Sequence, residues 1–169
     1  VMLQQCIEGL NIRQDGIYAD VTFGGGGHSK AILEHLGEKG RLFAFDQDED
    51  AQINRIAEQR FTLIRDNFRN VQQHLSQQQA LPISGILADL VVSSHQFEEP
   101  GRGCSSRFDH DLDMRMDTRT GTTALEILNS GSEKELVAIF SGDGEVKNSK
   151  TLAATIVQQR NKQAFTNAA

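Results

Sequence analysis

The chain is poor in cysteine and has no long apolar run, and each shortage excludes a class of protein. Its 169 residues include two cysteines, Cys6 and Cys104, which lie far apart and form no CxxC motif. We therefore expect reduced thiols, as in the cytoplasm, and neither a disulfide framework nor a zinc site built on cysteines. No apolar run approaches the ~20 residues that a membrane-spanning helix needs. The sequence thus predicts no membrane association.

Clustered histidines and a secretory leader are also lacking. The five histidines are scattered without the spacing of metal ligands, so no metal site is predicted. The chain opens Val-Met-Leu-Gln-Gln, without the basic flank and cleavage site of a signal peptide, and we interpret the missing initiator Met as a trimmed start. With 38% hydrophobic and 24% charged residues, the composition predicts a soluble cytoplasmic protein with a sizeable core.

Positive charge is scarce in the first part of the chain. The formal net charge is −6, and the first 100 residues carry 8 basic and 14 acidic side chains, whereas the rest carry 9 of each. This balance is not typical of a nucleic-acid binder. After Gly144 the balance is basic, with four cations against Glu145 alone: Lys147, Lys150, Arg160 and Lys162. Any phosphate-facing surface is therefore expected in the second part, although a solvated helix face explains the same charges equally well.

Glycine is concentrated at one place in the chain. Four consecutive glycines, residues 24–27, follow an apolar segment typical of a strand (17–21) and precede a segment typical of a helix (29–36). Residues without a Cβ allow the sharp bend and the close approach of a ligand that such a turn provides. Asp46 lies about 20 residues further on, the spacing at which a carboxylate meets a ribose hydroxyl pair. The combination predicts a site for an adenosine-containing cofactor.

The spacing of small residues separates the candidate cofactors. A dinucleotide site has the pattern G-x-G-x-x-G, but here Ser29 or Lys30 stands where the third glycine would be. A Walker phosphate loop needs Gly-Lys-Ser/Thr, and the order His28-Ser29-Lys30 differs from it. A nicotinamide-dependent oxidoreductase therefore stays a lesser alternative, as does a glycine-rich hairpin tip without a ligand.

The remaining pattern is an acid followed by small residues at every second position. It is similar to the first motif of S-adenosylmethionine methyltransferases and consists of Asp20, Thr22, Gly24 and Gly26, with Thr22 in place of one glycine. In this interpretation Asp20 assists the amino-acid end of the cofactor, and the glycines pass beneath its ribose.

Strands and helices alternate over the first 90 residues. The apolar patterns predict strands at 17–21, 41–45, 61–65 and 83–90, and helices at 3–10, 29–36, 49–59 and 68–78. Such alternation predicts an α/β fold with a parallel sheet and helices on both faces. Ligands bind outside the carboxyl ends of such strands, where four acids are expected at one edge: Asp20, Asp46, Asp66 and Asp89. A long loop (93–121) and helices at 123–128, 133–140 and 149–159 complete the prediction.

Short motifs in a fixed order carry a family resemblance over nearly the whole chain. They are GLNIR (9–13), DGIY (15–18), TFG (22–24), GGHS (26–29), DL (89–90), VSS (92–94) with Gln96, RG (102–103) and LDMRMD (112–117). With these motifs the chain resembles the small-subunit ribosomal RNA methyltransferase H family, also called MraW. The resemblance implies a Rossmann-like class I S-adenosylmethionine methyltransferase sheet, incomplete here, and part of a helical insert. Residues 1–97 would form the cofactor-binding core, and residues 98–169 the loop and the start of the substrate-binding insert.

The resemblance also implies a reaction and a set of contacts. Family members transfer a methyl group from S-adenosylmethionine to the exocyclic N4 of a cytosine in the decoding region of 16S rRNA. The implied partner is therefore the small ribosomal subunit, and a homodimer is compatible with the family. Matching positions imply these cofactor contacts: Gly26, Gly27 and His28 beneath the methionine portion and ribose, Asp46 on the ribose hydroxyls, Phe68 beside the adenine, and Asp89 and Gln96 near the reacting end.

Methyl transfer to an amine depends on positioning more than on acid–base chemistry. The protein must accept an N–H hydrogen bond from the cytosine amine, and the base must be unstacked. Asp89, at the expected tip of the fourth strand, is the candidate catalytic acceptor, and Ser93 and Ser94 are second candidates. The Asp/Asn-Pro-Pro-aromatic motif of many amine methyltransferases is absent. Asp89 is therefore assigned to the cofactor site first and to catalysis second.

Three features of the chain depart from the family pattern. Val91 stands where the family usually has glycine, and Cys104 and Ser106 replace aromatic residues that are candidates for stacking on the base. The chain also stops within what resembles the helical insert. These departures leave a second interpretation open, in which the chain is a catalytically incomplete fragment of the enzyme.

Overall fold

A computed structural model describes residues 2–105, 107 and 109–167, with the exception of the Ser94 side chain. The chain divides into two units, the first ending at Val91 and the second beginning at Val92. The division falls a few residues before position 97, where the family resemblance puts the end of the cofactor-binding core.

The first unit is built on a four-stranded parallel sheet in the order β3-β2-β1-β4. Its strands are β1 (Ile17–Asp20), β2 (Arg41–Phe45), β3 (Phe61–Ile64) and β4 (Gly85–Leu87). The register aligns Asp20, the last residue of β1, with Ala44 and Leu87. The carboxyl ends of the strands therefore lie at one edge, and the predicted α/β fold with a parallel sheet is confirmed.

Helices cover both faces of this sheet. They are α1 (Leu3–Leu10), α2 (Gly27–His35) and α3 (Val71–Gln77). Because side chains alternate along a strand, Tyr18 and Leu42 pack in one core with Ile32 of α2. Phe43 points to the other face, where it packs in a second core with Leu75 of α3. Two apolar layers thus fix the sheet between its helices, as the alternating pattern predicted.

The predicted helix over residues 49–59 is wrong. The segment forms one short 3₁₀ helix, Asp50–Asn54, and Ile53, expected on its buried face, is 85% exposed. The Asp48 N–H donates to Asp46 Oδ1 at 2.9 Å, and the Asp50 N–H donates to Asp48 Oδ1 at 3.1 Å. Such bonds favour a helix start, and the turn does begin here. The chain leaves the helical conformation at Arg55, which has φ −50° and ψ 131°.

The fourth strand is shorter than the predicted 83–90 because side chains take over the bonds at both ends. The Ile17 N–H donates to Ser84 Oγ at 3.2 Å, and the Asp89 N–H donates to Thr22 Oγ1 at 2.7 Å. The ladder is therefore limited to Gly85–Leu87. The predicted helix over 68–78 likewise starts as a 3₁₀ turn, Phe68–Asn70, before α3.

The second unit is helical over the part of it that is described. Its α-helices are α4 (Ser94–Glu98), α5 (Ala124–Ser130), α6 (Glu133–Ala138) and α7 (Ser149–Arg160), with a 3₁₀ turn at Pro100–Arg102 and a π turn at Ile139–Asp143. Leu136 and Ala153 are both fully buried where α6 packs on α7. The predicted loop over 93–121 thus contains α4 and the 3₁₀ turn, whereas the three later helices are confirmed. No helix within the described residues is long and apolar enough to span a bilayer.

Candidate cofactor site

The glycine turn is bonded to both neighbours of β1. The Val21 N–H donates to the Leu87 carbonyl at 2.9 Å, and the Phe23 N–H donates to the Phe45 carbonyl at 3.0 Å. The Phe23 ring points into the core, with its centroid 5.5 Å from that of Phe61. The main chain therefore leaves the sheet at a fixed place before it bends into α2.

The glycines of this turn meet different requirements. Gly26 has φ +75°, and a Cβ there would lie 2.9 Å from Cζ of Phe23. Only glycine fits such a position without strain. A Cβ on Gly25 or on Gly27 would meet nothing within 4 Å. The turn is thus packed against the core on one side and open on the other, which allows a ligand to approach the backbone.

Asp46 lies directly beside this turn. Its Oδ2 accepts the Gly24 N–H at 2.8 Å, and its Oδ1 accepts the Asp48 N–H at 2.9 Å. Each carboxylate oxygen has two lone pairs, so these bonds orient the carboxylate and leave it able to accept from a further donor. Asn54 supports the turn as well, because its Nδ2 donates to the Gly24 carbonyl at 3.1 Å. The tip of β2 and the glycine turn therefore form one surface.

Phe68 lies at the tip of β3 and is 43% exposed. The preceding residue, Asn67, accepts the Arg69 N–H at 3.0 Å and donates from Nδ2 to Gln47 Oε1 at 2.9 Å. The turn that carries the ring is thereby bonded to the residue that follows Asp46. An exposed aromatic ring at a fixed backbone position is able to stack on a purine.

Asp66, also predicted at this edge, serves the same turn. It accepts hydrogen bonds from His74 Nε2 at 2.7 Å, from Asn70 Nδ2 at 3.0 Å and from the Asn67 N–H at 2.7 Å. The bond from His74, followed by that from Asn70, lowers the pKa of the Asp66 carboxyl below its ordinary value. The ionised Asp66 carboxylate therefore holds the start of α3 in place. Its hydrogen bonds go to residues of its own segment.

Asp20 is fully buried behind the glycine turn. Its Oδ2 accepts the Ser29 hydroxyl at 2.7 Å, and its Oδ1 accepts the Thr22 N–H at 3.2 Å. Burial raises the pKa of Asp20, and the bonds from Ser29 and Thr22 together with the nearby His28 oppose that rise. Asp20 thus bonds the Thr22 backbone and Ser29 of α2, and its expected assistance to the amino-acid end of a cofactor stays a prediction.

The structure brings most of the predicted site residues together and separates one. Gly26, Gly27 and His28 lie at the start of α2, and Asp46, Phe68 and Asp89 follow β2, β3 and β4 at the same edge. Gln96 belongs to the second unit. There its Oε1 accepts the Ser93 N–H at 3.0 Å and its own N–H donates to Ser93 Oγ at 3.2 Å, which caps α4.

Several residues at this edge have bonding roles that sequence reasoning did not predict. Thr22, Ser29, Gln47, Asn54 and Asn67 each bond a segment that carries a predicted site residue. Thr22, Gln47 and Asn67 are polar residues within two positions of a predicted strand end, which is the signal that could have indicated them. Nothing in the local sequence indicates Ser29 or Asn54.

The chemistry of this edge is that of a polar, partly acidic surface. Among the residues that the structure describes, no group of three or more His, Cys, Asp or Glu side chains is arranged to hold a metal ion. In the second unit, the side chain of Ser94 and all of Ser106 lie outside the described residues, whereas Cys104 is half-buried. Val91, at the end of the first unit, is exposed.

Comparison with known proteins gives a consistent set of relatives. The model of a family described as the MraW methylase family matches residues 1–169. The ribosomal RNA small subunit methyltransferase H of Flavobacterium psychrophilum is 51% identical over 166 residues, which are 98% of this chain and 57% of that protein. The proteins of the same name from Flavobacterium johnsoniae and Bacteroides thetaiotaomicron are 52% and 51% identical, covering 95% and 98% of this chain and 53% and 54% of their own lengths.

The chain therefore spans about half the length of the curated relatives that it matches. One solved structure, of a protein assigned as a methyltransferase of an antibiotic biosynthesis pathway in Anabaena variabilis, is also similar. It has a TM-score of 0.40 and 16% identity over 75% of this chain and 50% of that chain. A likeness at this TM-score is too weak to support a function.

Proposed function

Because this chain belongs to the MraW methylase family, we propose that it takes part in the methylation of small-subunit ribosomal RNA, with S-adenosylmethionine as the methyl donor. The acceptor in this proposal is the exocyclic N4 of a cytosine in the decoding region of 16S rRNA, and the reaction takes place in the cytoplasm. Residues 1–97 bind the cofactor, and residues 98–169 begin the part that holds the RNA. A homodimer remains compatible with this proposal.

One observation carries the cofactor assignment. The Gly24 N–H donates to the Asp46 carboxylate at 2.8 Å, which fixes an acid of β2 beside the glycine turn of β1. The turn itself has an open side over Gly25 and Gly27. A carboxylate oriented next to an approachable backbone is what a ribose with two vicinal hydroxyls requires. Phe68, exposed at the next strand tip, supplies a ring for the adenine.

The residues of this edge bind and orient rather than exchange protons. S-adenosylmethionine supplies an electrophilic methyl group on its sulfonium centre. Asp46 accepts from the ribose hydroxyls, and Phe68 stacks on the base. Gly26, Gly27 and His28 line the start of α2 without bulk that would keep the cofactor away. Correct placement of the reacting atoms is itself a large part of catalysis for such a transfer.

Asp89 is the proposed acceptor for the substrate amine. Its backbone N–H is held at 2.7 Å by Thr22 Oγ1, which fixes the main chain at the tip of β4. A carboxylate there accepts an N–H hydrogen bond from the cytosine amine and so localises the nitrogen lone pair toward the methyl group. Gln96 is proposed as a further cofactor contact near the reacting end.

A nicotinamide cofactor is disfavoured by Ser29. A dinucleotide site needs a third glycine for close packing of the helix on the strand. Ser29 is instead fully buried at this position, and its hydroxyl donates to Asp20 at 2.7 Å. The first turn of α2 therefore contains a buried serine side chain at the position where the dinucleotide motif has glycine.

The test is a calorimetric titration of the chain with S-adenosylmethionine and, separately, with NAD. We expect saturable binding of S-adenosylmethionine only, weakened in the Asp46→Asn variant and unchanged in Asp50→Asn, a neighbouring acid outside the proposed contacts. Binding of NAD, or equal affinities for both variants, would contradict the assignment. Methyl transfer from labelled cofactor to 16S rRNA then distinguishes an active chain from one that binds cofactor without turnover, the second candidate, which is favoured by the half-length coverage of the relatives.

A further inference from the structure

A continuous chain of hydrogen bonds runs beneath the glycine turn and links two segments of the proposed site. Asp20 and Ser29 are both fully buried, and the Ser29 hydroxyl donates to Asp20 Oδ2 at 2.7 Å. The other oxygen of the same carboxylate, Oδ1, accepts the Thr22 N–H at 3.2 Å. The Thr22 side chain then accepts the Asp89 N–H at 2.7 Å.

These bonds connect three elements at this edge. Ser29 lies in the first turn of α2, Thr22 lies between β1 and the glycines, and Asp89 lies beyond β4. The bond between Asp89 and Thr22 joins residues 67 positions apart. Because Asp20 is a buried carboxylate, its charge is tolerated only while its oxygens keep donors. Both oxygens have them here, so the elements that supply the donors are held in one arrangement.

At the opposite end of β1, the Ser84 hydroxyl also joins two segments of the sheet and serves as a comparison. Ser84 Oγ accepts the Ile17 N–H at 3.2 Å and a bond from Arg13 Nη2 at 3.0 Å. It also joins β1 to the segment of β4, but at the amino end of the strands, away from the proposed site. Ser84 is therefore a matched reference for the hydroxyls of Thr22 and Ser29.

We propose that Asp20, Thr22 and Ser29 are positioning residues that fix the glycine turn relative to the tip of β4, so that cofactor affinity depends on the two hydroxyl groups. None of the three contacts the cofactor. Thr22 has the central place, because its backbone bonds Asp20 and its side chain holds the residue proposed to receive the substrate amine. This inference rests on the proposed S-adenosylmethionine site.

The test compares four variants in calorimetric titration with S-adenosylmethionine and in urea unfolding. Thr22→Val keeps the shape and removes the acceptor, Thr22→Ser restores it, Ser29→Ala removes the donor, and Ser84→Ala is the matched control. We expect Kd to rise about tenfold in Thr22→Val, where the Asp89 N–H loses its acceptor, and in Ser29→Ala, where the buried Asp20 carboxylate loses a donor. Thr22→Ser should bind as the unmodified chain does, and Ser84→Ala should lose stability without a change in Kd.

The outcomes separate this inference from the function on which it rests. No binding by the unmodified chain would overturn both. Binding by the unmodified chain with unchanged Kd in Thr22→Val, or with an equal loss in Thr22→Ser, would overturn the positioning role alone. If the valine variant does not fold, amide hydrogen exchange of the unmodified chain decides. Cofactor should slow exchange at Thr22 and Asp89 together, and slowing at Gly24 without them would contradict the proposal.

Discussion

The two units of this chain use polar side chains in different ways. At the carboxyl edge of the first unit, side chains bond backbone groups that are distant in sequence, such as Asp46 with Gly24 and Thr22 with Asp89. In the second unit, most side-chain bonds are local. Three helices begin with capping boxes, and Asp113 pairs with Arg115 two residues on. Longer-range bonds also occur there, from Arg102 to the Arg115 carbonyl, from Arg160 to the Leu128 carbonyl, and between Asn129 and Phe165.

The difference distinguishes polar residues that stabilise one segment from those that hold several strand tips together. A cap within one helix satisfies the backbone of that helix and leaves other segments unfixed. A bond between distant segments fixes several strand tips relative to one another and so creates a surface with a defined shape. We therefore expect substitutions at the edge of the first unit to change cofactor affinity, and substitutions of the caps of α5 and α6 to change stability alone.

The largest expected effect is that of Gly26→Ala. Alanine at this position would have to adopt φ +75°, and its Cβ would lie 2.9 Å from Phe23 Cζ. The left-handed conformation alone costs roughly 1–2 kcal/mol, so we expect a loss of at least about 2 kcal/mol in the free energy of unfolding. Urea denaturation measures it.

Gly27→Ala is the matched control for that variant. Its Cβ would meet nothing within 4 Å, and alanine in place of glycine in a helix favours stability by about 0.5–1 kcal/mol. Stability should therefore be kept or increased, while the Kd for S-adenosylmethionine rises because the methyl group fills space proposed for the cofactor. Equal losses of stability in the two glycine variants would contradict the conclusion that the turn is packed at Gly26 and open at Gly27.

Asp46→Asn should reduce cofactor affinity by about ten- to a hundredfold, because a charge-assisted hydrogen bond is worth about 1.5–3 kcal/mol. The amide oxygen replaces only one of the two carboxylate oxygens that accept the Gly24 and Asp48 N–H groups, so a loss of stability should accompany the loss of affinity. Isothermal titration of this variant and of Asp50→Asn measures the difference. An Asp50→Asn variant that weakens binding as strongly would show that the acidic segment acts through its overall charge instead.

Thr123→Ala tests the second unit. Thr123 Oγ1 accepts the Glu126 N–H at 3.1 Å, and the Glu126 carboxylate accepts the Thr123 N–H at 2.8 Å. Loss of this cap should reduce stability by about 1 kcal/mol and leave the Kd for S-adenosylmethionine unchanged. A change of Kd in this variant would remove the distinction between the units.

Asp66 gives the smallest predicted effect, and it depends on pH. Hydrogen bonds from His74 and Asn70 hold the pKa of this carboxyl below its ordinary value of 3.8. A carboxyl with a lowered folded-state pKa contributes stability above its unfolded-state pKa and loses it as the pH falls through the folded-state value. The contribution should therefore begin to fall below about pH 4. Urea midpoints between pH 7 and pH 3 should fall less steeply in Asp66→Asn than in the unmodified chain, and equal slopes would refute this role.

Periodicity predicted the elements whose bonds are regular. The helix at Leu3–Leu10 and the strand at Arg41–Phe45 agree with their predicted bounds, because an apolar pattern and the local backbone favour the same structure there. The helix predicted over 49–59 is wrong, because the chain leaves the helical conformation at Arg55. The family that the short motifs indicated is the family whose model matches the chain.

Spacing predicted Asp46 beside the glycines, but it could not predict the bonds beneath them. Nothing in the local sequence relates Thr22 to Asp89, because their bond exists only once β4 has paired with β1. Burial of Asp20 has the same origin, since it depends on the position of α2 over the sheet. The individual cofactor contacts proposed for the site residues stay predictions, namely those of Gly26, Gly27, His28, Asp46, Phe68, Asp89 and Gln96.

The most direct test of the central claim is an amide chemical-shift map of the ¹⁵N-labelled chain during titration with S-adenosylmethionine. We expect the largest shifts at the carboxyl edge of the first unit, at residues 24–28 and at Asp46, Phe68 and Asp89. Shifts confined to the second unit, or a spectrum that does not change at saturating cofactor, would contradict it.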